Sequence, residues 1–144
     1  MDLYDQLPYA ENLDSIPNLD ALYHAQTLAF MGDPRDYDDA RCLPKLAGQN
    51  ARENESGQTT GKRTITLHGR SRLRRSANNA AYVLIKHNAE FKARYEALVT
   101  RPDNPLHPLQ AIVACGNKYL RIAHALCVHN QFYQPDRILQ RTCA

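Results

Sequence analysis

An all-α domain of about five helices is the fold class this chain predicts, and three observations predict it. From Arg70 to His87 the residues Leu73, Ala77, Ala80, Ala81, Leu84 and Ile85 share one face at helical spacing, while Arg72, Arg75 and Tyr82 point elsewhere. A second long stretch, about Pro108 to Val128, aligns Leu109, Ile112, Val113, Gly116, Leu120, Ala123 and Cys127 in the same way. Strand character is confined to Thr64-Ile65-Thr66-Leu67, which reads as one strand or an extended arm. A chain of 144 residues suits one domain with a buried core and is too short for two independent ones.

Residues 1–17 form an acidic, extended or partly helical lead, broken by Pro8 and Pro17, with Leu13 and Ile16 as its docking side chains. After Pro17, Asn18 caps a helix whose first turn holds Asp20 and whose apolar face collects Leu19, Leu22, Tyr23, Gln26 and Phe30; Gly32 ends it. Asp33, Asp36, Asp38 and Asp39 then open a short helix through Leu46, where the macrodipole favours carboxylates, and Pro44 shortens it. Gly48 to Gly69 has few apolar residues and no helical period, so it reads as one long basic polar loop. The basic helix 70–87 follows, and Asn88 separates it from a helix at Ala89 to about Thr100 with Phe91, Tyr95 and Leu98 on its apolar stripe. Pro102, Asp103, Asn104 and Pro105 force a turn before the last helix, in which Gly116 marks a close approach of two helices. The domain therefore spans 18–130, with a tail at 131–144.

Charge is distributed unevenly. The first forty residues carry nine acidic and one basic side chain, residues 41–101 carry thirteen basic and four acidic, and the remainder is nearly neutral, for a total of +3. An acidic head before a basic middle points to a nucleic-acid surface in the middle, shielded by the head. Between Lys62 and Arg75 there are six Lys or Arg and no acid. Such a row favours salt-sensitive phosphate contact, by Lys62, Arg63, Arg70, Arg72, Arg74 and Arg75, over a solvated helix face, where Glu would alternate with the arginines.

Cys42, Cys115, Cys127 and Cys143 are scattered without a C-x-x-C pair or a secretory leader, as expected of reduced thiols in a cytoplasmic protein. The longest apolar runs fall well short of the roughly 20 residues a membrane helix needs, so no membrane partner is expected. The aspartates 33–39 are better explained as helix-start carboxylates than as a magnesium site, and His124 with Cys127 as core packing rather than zinc ligands; no metal or other cofactor is expected in this chain. Ser56, taken alone, is a loop serine, with Glu53, Glu55 and His68 nearby but at no spacing that specifies a catalytic triad.

Several phrases occur in a distinctive order: Leu13-Asp14-Ser15-Ile16-Pro17, Gly32-Asp33-Pro34-Arg35-Asp36-Tyr37, Lys45-Leu46-Ala47-Gly48, Glu53-Asn54-Glu55-Ser56-Gly57, Gly69 with Leu73-Arg74-Arg75, and Gly116-Asn117-Lys118-Tyr119-Leu120-Arg121. Over roughly residues 7–130 they resemble the C-terminal transposase domain of the insertion-sequence one-ten family, with its one-one-six and nine-oh-two relatives. The resemblance implies a bridge-RNA-guided DNA recombinase in which a RuvC-like domain holds magnesium through a DEDD carboxylate set and the C-terminal domain supplies a serine. By that resemblance Ser56 is the nucleophile that forms a transient phosphoserine link to DNA. Gly57 and Gly69 shape its loop, and the six basic residues are nucleic-acid contacts. The segment from Ser15 to Phe30 is similar to the family's helix-hairpin-helix-like element but degenerate: Asn18-Leu19-Asp20 stands where the family has Gly-Ile-Gly. Leu67 replaces a lysine and Gln49 an apolar residue.

The resemblance implies a stand-alone or truncated C-terminal domain, inactive alone, whose expected partners are DNA, a structured guide RNA, and a RuvC-like domain or full-length transposase. Alternatively the chain is a non-catalytic nucleic-acid-binding or transposase-inhibiting remnant of a mobile element, or a pseudogene product.

Overall fold

The computed structural model describes residues 3–49, 51–52, 64–65 and 69–136, with backbone alone for 51–52 and 64–65. Among these residues there are six α-helices: α1 (Ala10–Asp14), α2 (Ala21–Met31), α3 (Cys42–Leu46), α4 (Ser71–His87), α5 (Ala89–Thr100) and α6 (Pro108–Val128). Single 3-10 turns stand at Tyr4–Gln6 and Pro34–Asp36. The expected all-α class holds, and the additional helix is α1, inside the acidic lead. Leu13 and Ile16 of that lead are buried as expected. The extended reading of Thr64-Ile65 also holds at the backbone. Thr64–Ile65 (β2) pairs antiparallel with Ala51–Arg52 (β1), Ala51 opposite Ile65 and Arg52 opposite Thr64; residues 66–67 lie outside the described residues.

The contact of α4 with α6 at the centre of the core is a seam of small residues. Leu73, Ala77, Ala80, Ala81 and Leu84 of α4 are wholly buried, and α4 packs on α6, α2 and α5. Alanine on one helix and glycine on the other let two backbones come close: a Cβ on Gly116 would lie 2.8 Å from Asn78 Oδ1 and 3.4 Å from the Ala77 backbone. Ile85, expected on the buried face, sits at its edge, half-buried. The Asn88 side chain accepts from Glu90 N (3.0 Å) and Phe91 N (3.1 Å), so it caps α5 while breaking α4. Residues 131 and 133 fold back on α1: Asn12 Nδ2 donates to Gln131 O (2.8 Å) and Tyr133 N to Ser15 Oγ (2.8 Å).

Three element expectations are corrected. First, α2 begins at Ala21 and Asn18 does not cap it; Asn18 instead adopts φ 68°, a left-handed turn that Asn tolerates better than most residues and that stands where the resembled family has glycine. Second, α2 buries His24, Thr27 and Met31 while Leu22 is exposed, because the face turned to α4 and α6 is polar. Third, the single short helix through Leu46 is two pieces, with Tyr37 extended between them and Cys42–Leu46 forming α3. Of the stripe expected on α6, Leu109 lies in the first turn beyond the packed region and is exposed; the buried face is Ala111, Cys115, Tyr119, Leu120, Ala123, His124, Leu126 and Cys127 along with Gly116.

The polar face of α2 is hydrogen-bonded internally at every side chain, with one ring nitrogen of His24 left over. His24 Nδ1 lies 2.9 Å from the Tyr119 hydroxyl, which donates to Thr27 Oγ1 at 3.4 Å; Thr27 donates to Tyr23 O at 2.9 Å and meets Ser76 Oγ at 2.9 Å. Every hydroxyl proton finds an acceptor when the His24 proton is on Nδ1, leaving Nε2 as a buried nitrogen without a hydrogen-bond partner. Desolvation pushes the His24 pKa down to about 4.

Two outcomes follow from this packing. Gly116→Val forces a branched side chain between α4 and α6 and is expected to destabilise by about 1–3 kcal/mol in urea unfolding. His24 stays neutral when folded and takes a proton when unfolded below its ordinary pKa of 6.5, so stability falls as pH drops from 6.5 toward 4. The expected loss is roughly 3 kcal/mol at most, because each step of one in pH across that interval costs about 1.4 kcal/mol. Denaturation at pH 7 and pH 4.5 should show that part of the slope vanish in His24→Gln.

Candidate nucleic-acid interface

The start of α4 is held by the end of α3. Arg70 N donates to Leu46 O (2.7 Å), and Gly69 fits where nothing larger does: a Cβ there would lie 2.6 Å from Leu46 O, 2.8 Å from the Ala47 carbonyl carbon and closer still to Gly48 N. A glycine at 69 thus has a steric cause at this end of the loop. At the other end Gln49 is buried, its Nε2 donating to Asn78 Oδ1 (2.7 Å) and its backbone oxygen accepting from Asn117 Nδ2 (3.4 Å). These amides, from α4 and α6, explain why a polar residue sits at position 49. Two residues further on comes the β1–β2 ladder. Ser56, Gly57, Lys62 and Arg63 lie outside the described residues; the backbone enters and leaves their stretch at this ladder.

Arg70, Arg72, Arg74 and Arg75 all fall within the cap and first turns of α4 but have different surroundings. Arg70 Nη1 donates to Phe30 O (2.9 Å) and Met31 O (3.2 Å), closing the last turn of α2, and Arg74 Nη1 donates to Ala47 O (3.2 Å). The Arg72 guanidinium carbon lies 5.9 Å from the centre of the Phe30 ring. Arg75 is exposed and makes no hydrogen bond or ion pair among the described residues. Carboxylates are absent from the first turn of α4, and no side chain caps it. Four fixed positive charges therefore stand at the positive end of a helix dipole with no acidic partner among the described residues, an arrangement suited to phosphate oxygens.

Among the described residues the acidic head forms no ion pair with these arginines. Its ion pairs are local: Asp33 with Arg35 (2.7 Å) and Asp39 with Arg41 (2.7 Å). Hydrogen bonding to Arg35 holds the Asp33 pKa below its ordinary value, and hydrogen bonding to Arg41 brings Asp39 to about 2. Asp33 also caps the Pro34–Asp36 turn by accepting from Arg35 N (2.9 Å), the role expected of it. His124 Nε2 is 2.7 Å from Tyr37 O, and burial pushes the Cys127 thiol up to about 12 and Cys115 up to about 11. Among the described residues no group of three or more His, Cys, Asp or Glu is placed to hold a metal ion. Cys42, Cys115 and Cys127 are free, and no helix among the described residues is long and apolar enough to cross a membrane.

The described residues define a helical domain whose α4 begins with an acid-free arginine cluster. Its family is given by comparison with known proteins. The model described as Transposase IS116/IS110/IS902 family matches residues 10–96, from the start of α1 into α5, and the chain belongs to that family. Membership supports a role in transposition. No curated protein matches the chain.

Alanine scanning should separate the two kinds of arginine. Arg70→Ala and Arg74→Ala each remove a charged donor from a backbone carbonyl and are expected to cost about 1 kcal/mol of stability. Arg75→Ala should stay within about 0.5 kcal/mol of the parent, as read by thermal unfolding.

Proposed function

We propose that this chain is a DNA-binding helical domain of a transposase, acting in DNA transposition and recombination, with Ser56 as its nucleophile and a separate RuvC-like domain as its catalytic partner. The observation that carries this reading is the set Arg70, Arg72, Arg74 and Arg75 at the uncapped start of α4, without a carboxylate partner among the described residues. Arg72 and Arg75 are the contacts most available to phosphate. Arg70 and Arg74 also lock α2 and α3 to the same turn, so they fix the position of the surface as well as its charge.

In the proposed step, Ser56 Oγ gives its proton to a base and bonds to the scissile phosphorus, and the displaced DNA oxygen leaves as a free hydroxyl end. The product is a phosphoserine ester that a later strand oxygen reverses. Arginines beside the loop would offset the charge that builds on the non-bridging oxygens. Magnesium chemistry on this reading belongs to the carboxylates of the RuvC-like partner. A structured guide RNA is a second expected ligand of the same basic surface. Lys62 and Arg63 are further nucleic-acid contacts on this reading.

Two measurements test it. In gel-shift titrations, binding to DNA should fall steeply with salt, and Arg72→Ala/Arg75→Ala should weaken it about sixtyfold at 0.1 M salt while lowering the logarithmic salt slope by roughly 2, as expected for two lost phosphate contacts. Absence of binding to DNA or structured RNA at low salt would sink the nucleic-acid assignment. With a RuvC-like domain supplied, a detergent-stable protein–DNA adduct should form with the parent chain and not with Ser56→Ala; an adduct in the variant would refute the nucleophile. If the chain co-purifies with full-length transposase but binds no nucleic acid, it acts as an inhibitor.

A further inference from the structure

Helix α4 contains no Asp or Glu in its 17 residues, so its solvent side lacks the alternating charges of an ordinary exposed helix. That side is a single stripe. Arg72, Arg75, Asn79, Tyr82 and Lys86 recur at intervals of three and four, are all exposed, and fall within an arc of about 80° at 100° per residue. The stripe is about 21 Å long at 1.5 Å per residue. Cations occupy its two ends, and an amide and an aromatic ring occupy its middle. Tyr82 is 51% exposed, which packing in the core does not explain, and Lys86 Nζ lies 4.3 Å from the centre of its ring.

On the DNA-binding reading above, we propose that this stripe is seated in the major groove of duplex DNA, with Arg72, Arg75 and Lys86 on the phosphates of the groove walls and Asn79 and Tyr82 on base edges between them. The shape selects the partner. A B-form major groove, about 12 Å wide, admits an α-helix, whereas the major groove of A-form RNA is too narrow and deep for side chains to read. The composition fits the same geometry: Lys86 stands about 16 Å along the axis from Arg75, so the neutral pair Asn79 and Tyr82 lies where phosphates are absent. An asparagine amide can meet adenine through a donor and an acceptor at once, and a tyrosine ring can cover a thymine methyl. The surface thus extends about three turns beyond the arginine cluster, and its centre carries sequence preference while its ends carry affinity.

The test compares single variants of the full chain on duplex DNA. Lys86→Ala should weaken binding to every duplex about eightfold at 0.1 M salt and lower the salt slope by about 0.9, the signature of one phosphate contact. Asn79→Ala should leave the slope unchanged and flatten the differences in affinity among duplexes of different sequence. Lys92→Ala, on the exposed side of α5, should change neither. If Lys86→Ala and Asn79→Ala both match Lys92→Ala while Arg75→Ala still weakens binding, the groove-seated stripe is wrong and the arginine cluster alone binds DNA. If Arg75→Ala is also without effect, the DNA-binding reading falls with it. Tighter binding to duplex RNA than to duplex DNA of the same sequence would overturn the choice of partner. All four positions are exposed, so unchanged thermal unfolding confirms that each variant is folded.

Discussion

The close approach of α4 and α6 at Ala77 and Gly116 is the constraint on which the rest depends. Two helices meet this nearly only when the residues between them are small, and the small residues bring hydrogen-bonding side chains within reach of both. Asn78 and Asn117, one on each side of the seam, reach Gln49 and fix where the chain departs from α3. Tyr119, one turn of α6 further on, meets His24 and Thr27 and fixes α2. A wider spacing would break both sets of bonds. The seam therefore positions the loop stem as well as the core.

Because one face of α4 is spent on that seam, its start and outer side are left to solvent. The arginines at the start serve two purposes at once. Arg70 and Arg74 satisfy carbonyls at the ends of α2 and α3, which otherwise have no intrahelical partner, while Arg72 and Arg75 have no carboxylate partner among the described residues. The ion pairs of the acidic head among the described residues are short-range, Asp33 with Arg35 and Asp39 with Arg41. Among the described residues the acidic and basic parts are joined by an ion pair only at their boundary, Asp39 with Arg41, which leaves the arginines at the start of α4 available to a polyanion.

Much of the architecture was legible in the chain. The bounds of α6 and the buried set on α4 follow from 3.6-residue periodicity, and the close contact at Gly116 follows from a glycine within an apolar stripe. Periodicity failed on α2 because its buried residues are His24 and Thr27, which a hydrophobic pattern reads as surface and which are buried only because Tyr119 and Ser76 arrive from elsewhere in the chain. It failed at Leu109 because the first turn of α6 extends past its packing partners. For the site, the concentration of arginines was plain from composition, but their division into carbonyl-binding and exposed members was not. The partners of Arg70 and Arg74 lie some forty and twenty-seven residues away. Gln49 stood out only as a departure from the resembled family, and nothing local pointed to its contacts with Asn78 and Asn117, which lie 29 and 68 residues away. Ser56 rests on resemblance in ordered motifs, and the family match over 10–96 spans its position.

The most direct measurement of the basic surface is a titration of the isotopically labelled chain with duplex DNA, followed through its backbone amides and arginine Nε–H signals. The largest changes are expected to cluster at residues 69–76 and at the side chains of Arg72 and Arg75, and to continue along α4 through Asn79, Tyr82 and Lys86, with α5 almost silent. Changes centred on α5 or the outer face of α6, or no changes at low salt, would contradict a DNA-facing arginine cluster at the start of α4.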